Sequence, residues 1–227
     1  MILAAVGLQR EARIVGGPQV TAICGGGRSA ALEAALADAA PGAEGLISIG
    51  VCGALAPGLK PGDAVIAGSV AWSGGEAAAD ARWIESLTRR LPDAKAGGVF
   101  GSDAMLTQAR DKRAAHARTG ALAVDMESHV AARAAAAAGV RFAALRVVTD
   151  AADCDLPPAV LVGMDADGRM ALLPVLKSLA ARPGQLPALI RAGRDAGRAF
   201  RGLADAHRLL GPRLGLPDLG ELALDVG

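Results

Sequence analysis

The sequence predicts a single α/β domain, and three observations carry that expectation. Short apolar runs bounded by glycine, proline or aspartate recur along the chain, helical patterns alternate with them, and 227 residues with 52% hydrophobic content supply one good-sized core. The runs place strands near residues 2–6, 20–24, 45–50, 64–70 and 142–148, several of them apolar on both faces. Helices are expected near 28–40, 109–118, 126–138 and 186–210, and this alternation implies a largely parallel sheet covered by helices. The helix over 126–138 stops at Gly139, a residue suited to a left-handed cap, and the next strand follows within three residues. Asp150 therefore falls just past a strand's carboxyl end.

Charge and composition exclude several classes. A net charge of +1 from 24 basic and 23 acidic residues gives no overall pull toward nucleic acid, and 2% aromatic residues leave few platforms for stacked bases. Cys24, Cys52 and Cys154 are odd in number and form no CxxC pair, which argues against a disulfide framework and a zinc site and fits a reducing cytoplasm. The opening apolar run is too short for a signal sequence, with Arg10, Glu11 and Arg13 directly behind it, and no window holds eighteen uninterrupted apolar residues. A soluble or at most surface-associated chain is expected, with no metal and no resident cofactor.

Open α/β sheets bind ligands in the crevice beyond the carboxyl ends of their strands, which puts chemistry at Asp150 and at the small-residue turn Gly50-Val51-Cys52-Gly53. The same reasoning marks Gly25, Gly26 and Gly27, which open a helix whose free N–H groups could hold an anion beside Arg28. Gly25, Gly27 and Ala30 also match the dinucleotide fingerprint, but Glu44, which has the spacing of the ribose-binding acid, precedes its strand instead of ending it. Arg146, inside a strand that reads as buried, needs a carboxylate or a ligand as partner. Asp125 suits the first turn of a helix, His129 reads as a packed or rim histidine, and Cys52 as a small buried residue.

Four segments in order, "IGVCGALAPGLKPGD", "GSDAMLT", "AVDMESHVAARAAAAAGV" and "LRVVTDAAD", resemble the glycine-rich turn, purine-contacting loop, Met-Glu ribose motif and catalytic-aspartate motif of the nucleoside phosphorylases and the related methylthioadenosine/S-adenosylhomocysteine nucleosidases. The resemblance spans about residues 1 to 153. It implies one nucleoside-phosphorylase-like domain over 1–227, a mixed central sheet flanked by helices, and a helical C-terminal extension over about 155–210. Within that superfamily the whole chain, including "VDMESHVAARAAA" and the later "ARPGQLPALIRAGRDAGRAF", most resembles the hopanoid-associated phosphorylases, which implies adenosylhopane as substrate, adenine as the released base and phosphate as co-substrate. Homo-oligomers are common in the family.

By this resemblance Asp150 would protonate the purine at N7, neutral because an apolar crevice raises its pKa, and Glu127 would hold the sugar hydroxyls and favour an oxocarbenium-like transition state. Met126 would lie against the sugar or base, Met105 and Leu106 would read the purine edge with their backbone groups, Thr149 would orient Asp150, and Gly53 would leave room for substrate. Two departures concern the acceptor. The family's water-activating glutamate aligns with Ala12, with Glu11 adjacent, and the hydroxyl offered to phosphate aligns with Val51. Gly26, Gly27 and Arg28 remain as a phosphate site, so phosphorolysis is expected ahead of hydrolysis of a 5′-substituted adenosine. A nucleoside-binding protein without turnover is the alternative of another class, opposed by the joint presence of Glu127 and Asp150.

The extension is apolar and basic together: Leu189, Ile190, Phe200, Leu203 and Leu210 lie among Arg191, Arg194, Arg198, Arg201 and Arg208. Such a helix can pack on the sheet or lie on an anionic membrane. With a lipid-linked substrate the expectation is an apolar groove or membrane-facing surface over 155–210.

Overall fold

Each strand read from the sequence forms, and three more join them in the computed structural model, which describes residues 1–161 and 172–217. The strands are β1 (Ile2–Val6), β2 (Val20–Cys24), β3 (Gly45–Ala54), β4 (Ala64–Trp72), β5 (Gly75–Ala78), β6 (Lys95–Gly101), β7 (Ala123–Asp125) and β8 (Arg141–Asp150). The helices are α1 (Gln9–Val15), α2 (Ser29–Ala39), α3 (Ala81–Arg90), α4 (Ala109–Thr119), α5 (Ser128–Ala138), α6 (Pro158–Leu161), α7 (Leu172–Ala181) and α8 (Leu186–Leu210). Residues 162–171 of the expected extension lie outside the described residues.

The sheet runs β2-β1-β3-β7-β6-β4-β5, and β8 pairs with both β3 and β4. Strands β3, β8, β4, β6 and β7 thereby close on one another. Parallel pairing dominates, but β3 with β7, β4 with β5 and β4 with β8 run antiparallel, so the sheet is mixed. Helix–strand alternation implies parallel neighbours only where a crossover helix joins them, as α4 joins β6 to β7, whereas β7 meets β3 and β8 meets β4 without such a connection and both pairs run antiparallel. Asp150 is the last residue of β8 instead of the first beyond it.

Side chains of β1 alternate between two cores, as a strand covered on both faces requires. Leu3 and Ala5 join Leu32 and Leu36 of α2 and Val130, Ala131 and Ala134 of α5, while Ile2, Ala4 and Val6 join Trp83 and Leu87 of α3 and Phe200 and Leu203 of α8. Gly139 adopts the left-handed conformation (φ 65°) and caps α5 through its N–H, as the sequence predicts. Glu44 precedes β3 and pairs with the N-terminus and with Arg213, which removes it from any ribose site.

The second half of α8 is a core helix. Ala199, Phe200, Leu203, Ala206 and Leu210 are buried at helical spacing, Arg10 stacks over the Phe200 ring at 4.1 Å, and the outward arginines Arg198 and Arg208 pair with Asp195 and Asp205. Large apolar side chains exposed on the extension are Leu161, Leu173, Leu176, Leu186, Ile190 and, near its end, Leu209 among its described residues. No described helix is long and apolar enough to cross a membrane. Leu203→Ala, which empties a fully buried position, is expected to cost about 2–5 kcal/mol in chemical denaturation, whereas Ile190→Ala should fall within about 0.5 kcal/mol of wild type. Comparable small effects at both positions would show that α8 is not packed as described.

Candidate active site

The site is built around a guanidinium. Arg146 points from the middle of β8 into the protein and is fully buried, where an unpaired charge would be prohibitive. Its Nε lies 2.5 Å from Asp125 Oδ2 and 3.2 Å from Ser128 Oγ, and its Nη2 donates to Ser48 Oγ. Asp125 ends β7 and also accepts the backbone N–H groups of Glu127 and Ser128 at 3.1 and 2.8 Å, closing the turn that starts α5. Arg146 Nη1 is 3.5 Å from Glu127 Oε2 and has no hydrogen-bond partner among the described residues.

Glu11 completes this cluster, a position that residue counting missed. It is 1% exposed. As the third residue of α1 its carboxylate turns back over the helix start, where Oε2 accepts the N–H groups of Gly7 and Leu8 at 2.8 Å each. Oε1 accepts the Val51 N–H at 2.7 Å. Two glycines make room. A β-carbon at Gly50 would lie 2.5 Å from Glu11 Oε1 and 2.9 Å from Arg146 Nη1, and one at Gly7 would lie 2.6 Å from Glu127 Oε1. Alignment without gaps puts Ala12 in the role of the family's glutamate, but Ala12 packs against the core and Glu11 reaches the site.

Three carboxyl groups face one guanidinium, so they do not all behave as ordinary acids. Burial raises the Glu127 carboxyl to about 8 against the pull of Arg146, with Asp125 and Glu11 pushing the same way. Burial also raises Glu11, opposed by Arg146 and by its three backbone donors. Burial works against the charge on Arg146, yet Asp125, Glu127 and Glu11 together hold it above its usual value. The Cys52 thiol is pushed up by burial, in keeping with a packed residue.

The second acid sits at the end of β8, further along its pairing with β3. Asp150 pairs across from Gly53, just after a shift of register at Cys52, while Arg146 pairs across from Gly50. Three residues along a strand separate the two levels by about 10 Å. A β-carbon at Gly53 would lie 3.2 Å from Asp150 Oδ2, so the glycine opens the face over that carboxylate. Thr149 Oγ1 is 2.6 Å from Asp150 Oδ1 and 2.9 Å from the Cys52 carbonyl. The apolar crevice expected around Asp150 is not found. Lys112 of α4, fully buried, donates to Asp150 Oδ2 and to the carbonyls of Ala151 and Cys154 at 3.1 and 2.9 Å.

The remaining residues fall into two groups. Met105 and Leu106 are half-buried in the loop between β6 and α4, with Leu106 against the small core of Leu55, Phe100 and Val124. Asp103 in that loop lies 3.0 Å from His129 Nε2, and Leu156 N–H donates to Thr107 O at 2.8 Å. Met126 is half-buried with its methyl 4.0 Å from where a β-carbon on Gly27 would stand. Gly26 and Gly27 both have positive φ, but the Gly26 N–H is taken by the Gly7 carbonyl at 3.1 Å, and Arg28 is exposed.

The raised Glu127 links the site to stability. The folded chain keeps a proton that the unfolded chain releases near the ordinary value of 4.5, so this contribution is complete below that pH and is lost as pH rises through about 8. The melting temperature of the ligand-free protein should therefore fall across this window, and Glu127→Gln, which mimics the protonated acid, should flatten the fall. A variant with the wild-type slope would remove Glu127 as its source.

Solved structures share this architecture. A methylthioadenosine/S-adenosylhomocysteine nucleosidase from S. pneumoniae, solved with a transition-state inhibitor, superposes with a TM-score of 0.60 at 18% identity over 93% of this chain and 100% of that one. Futalosine hydrolase of Helicobacter pylori gives 0.66 at 13% over 92% and 96%, and the methylthioadenosine/S-adenosylhomocysteine nucleosidase of Neisseria meningitidis gives 0.65 at 16% over 92% and 98%. No curated protein sequence matches this chain. The model of the Phosphorylase superfamily matches residues 11–171, well over half of the sequence, and the chain belongs to that superfamily.

Proposed function

We propose that the protein cleaves the N-glycosidic bond of an adenine nucleoside with water as acceptor. The observation that carries this reading is the buried Glu11 carboxylate, held against Gly50 next to the unpartnered Nη1 of Arg146 and close to Glu127. Bond cleavage develops positive charge on the ribose and negative charge on the purine, so the enzyme needs carboxylates at the sugar and an acid at the base. Glu127 would accept hydrogen bonds from the sugar hydroxyls. Glu11, a carboxyl whose pKa burial holds up, would take a proton from water attacking the anomeric carbon, with Arg146 Nη1 orienting that water. Asp150, held by Thr149, would serve N7; Met105 and Leu106 would line the purine edge, Met126 the sugar face, and Gly53 would admit the base.

A phosphate dianion at the sugar would meet Glu11, Glu127 and Asp125 with one guanidinium among them, and the Gly26 N–H is already engaged. Phosphorolysis keeps one supporting observation: Gly27 and the exposed Arg28, for which no ion pair occurs among the described residues, stand at the start of α2. For the 5′ group we read adenosylhopane, a lipid-linked nucleoside taken at a membrane surface. Its support is the resemblance to hopanoid-associated phosphorylases and the exposed Leu161, Leu173, Leu176, Leu186 and Ile190 on the segment that follows Asp150.

The decisive assay is adenine release from methylthioadenosine and from adenosylhopane, with and without phosphate. Release should proceed without phosphate, and Glu11→Gln and Asp150→Asn should each slow it roughly a hundredfold or more. Strict dependence on phosphate with formation of a ribose 1-phosphate would overturn the water acceptor. No release from any adenosine derivative would leave a binding protein.

A further inference from the structure

The ion pair behind Asp150 raises a question of supply. A carboxylate bound to an ammonium has no proton of its own to give the departing purine, yet Lys112 carries one in direct contact with Asp150 Oδ2. Lys112 lies fully buried among the charged residues of α4, and all three of its ammonium hydrogens have acceptors: Asp150, the Ala151 carbonyl and the Cys154 carbonyl. The two carbonyl contacts match what a neutral amine needs. Once one proton has passed to Asp150, the amine keeps two N–H groups for the two carbonyls and turns its lone pair toward the new carboxyl hydrogen.

We propose that Lys112 stores the proton that Asp150 delivers to the leaving purine. This rests on the reading of the protein as an N-glycosidic enzyme. As the bond between the anomeric carbon and N9 breaks, its electron pair passes to the purine. N7 then takes a proton from Asp150, and Asp150 takes one from the Lys112 ammonium. Water adding to the anomeric carbon gives its proton to Glu11, and return of that proton through solvent to the Lys112 amine restores the starting charges. Lys112 does not touch substrate; it positions and recharges Asp150. Its anchorage suits that role, because the same ammonium fixes the chain just after Asp150, and Asp155 Oδ1 accepts the Ala109 N–H at the start of α4 at 2.7 Å.

Two substrates separate this role from a structural one. Methylthioadenosine has a leaving group that needs protonation, whereas p-nitrophenyl β-ribofuranoside releases a phenolate that does not. Lys112→Met should lower kcat on methylthioadenosine by roughly a hundredfold, with KM and turnover of the nitrophenyl riboside within about threefold of wild type. Lys112→Arg keeps the charge but cannot pass on a proton, so it should show the same selective loss. Equal losses on both substrates, or an arginine variant with wild-type kcat on methylthioadenosine, would overturn the proposal. A measurement on the unmodified enzyme covers variants that fail to fold: the solvent deuterium effect on kcat should be larger for methylthioadenosine than for the nitrophenyl riboside, and equal effects would also overturn it. A wild-type protein inactive on both substrates and on adenosylhopane would defeat the N-glycosidic reading itself, an outcome distinct from activity that is indifferent to Lys112.

Discussion

One buried guanidinium organises the molecule. Arg146 stands at full burial in the strand that pairs with both β3 and β4, and it persists there only because Asp125, Ser128 and Ser48 surround it with charge and hydrogen bonds. Those partners come from β7, the start of α5 and β3, so satisfying one side chain fixes how three elements meet. The excess of carboxyl groups then has a consequence for chemistry. With Asp125 closest to the guanidinium, Glu127 and Glu11 share what is left of its field, and burial holds both toward their protonated forms.

The same crowding explains the glycines. Gly7 follows the first strand and Gly50 lies inside the third, where a larger residue would normally pack better. At both places a β-carbon would meet carboxylate oxygen at 2.5–2.6 Å, so the backbone itself forms the wall against which Glu127 and Glu11 rest. Backbone N–H groups from Gly7, Leu8 and Val51 meet Glu11 from the other side. A carboxyl caught between backbone donors and a guanidinium has a fixed orientation before any substrate arrives, which is the pre-organisation that proton transfer requires.

What was legible in the sequence follows from what is local. Long apolar strands, the cap at Gly139 and the acids at the ends of β7 and β8 all mark themselves by composition and spacing. Strands β5, β6 and β7 do not: "GEAA" has few strand-forming residues and is carried by its hairpin with β4, while "KAGGVFG" and "AVD" owe their conformation to partners far along the chain. Glu11 reads as one charge among Arg10 and Arg13, and only the fold reveals that a seven-residue helix turns it inward. Lys112 is less visible still, set in "ARDKRAAHART", where nothing distinguishes it from its solvated neighbours. Amphipathicity in α8 could not separate a membrane-facing helix from a packed one, since both bury the same stripe. Contact with β8 and the Arg10 stack on Phe200 decide the matter for its second half.

The carboxyl groups around Arg146 and the carboxyl of Asp150 end in different electrostatic settings. At the level of Gly50 three carboxyl groups face one cation, and burial holds Glu127 and Glu11 toward their protonated forms, so this side becomes negative once a proton leaves it. At the level of Gly53 one carboxylate faces one ammonium, a pair with no net charge. In the proposed reaction a nucleoside lying along β3 from Gly50 to Gly53 would place its ribose against the carboxyl-rich end and its base against the Lys112–Asp150 pair. That gradient parallels the charge separation of a breaking N-glycosidic bond, cationic sugar and anionic purine. It is fixed by a single strand register, which sets Arg146 opposite Gly50 and, after a shift at Cys52, Asp150 opposite Gly53. Moving Asp150 one residue along β8 would turn its carboxylate to the other face of the sheet and dissolve the gradient with the rest of the fold intact.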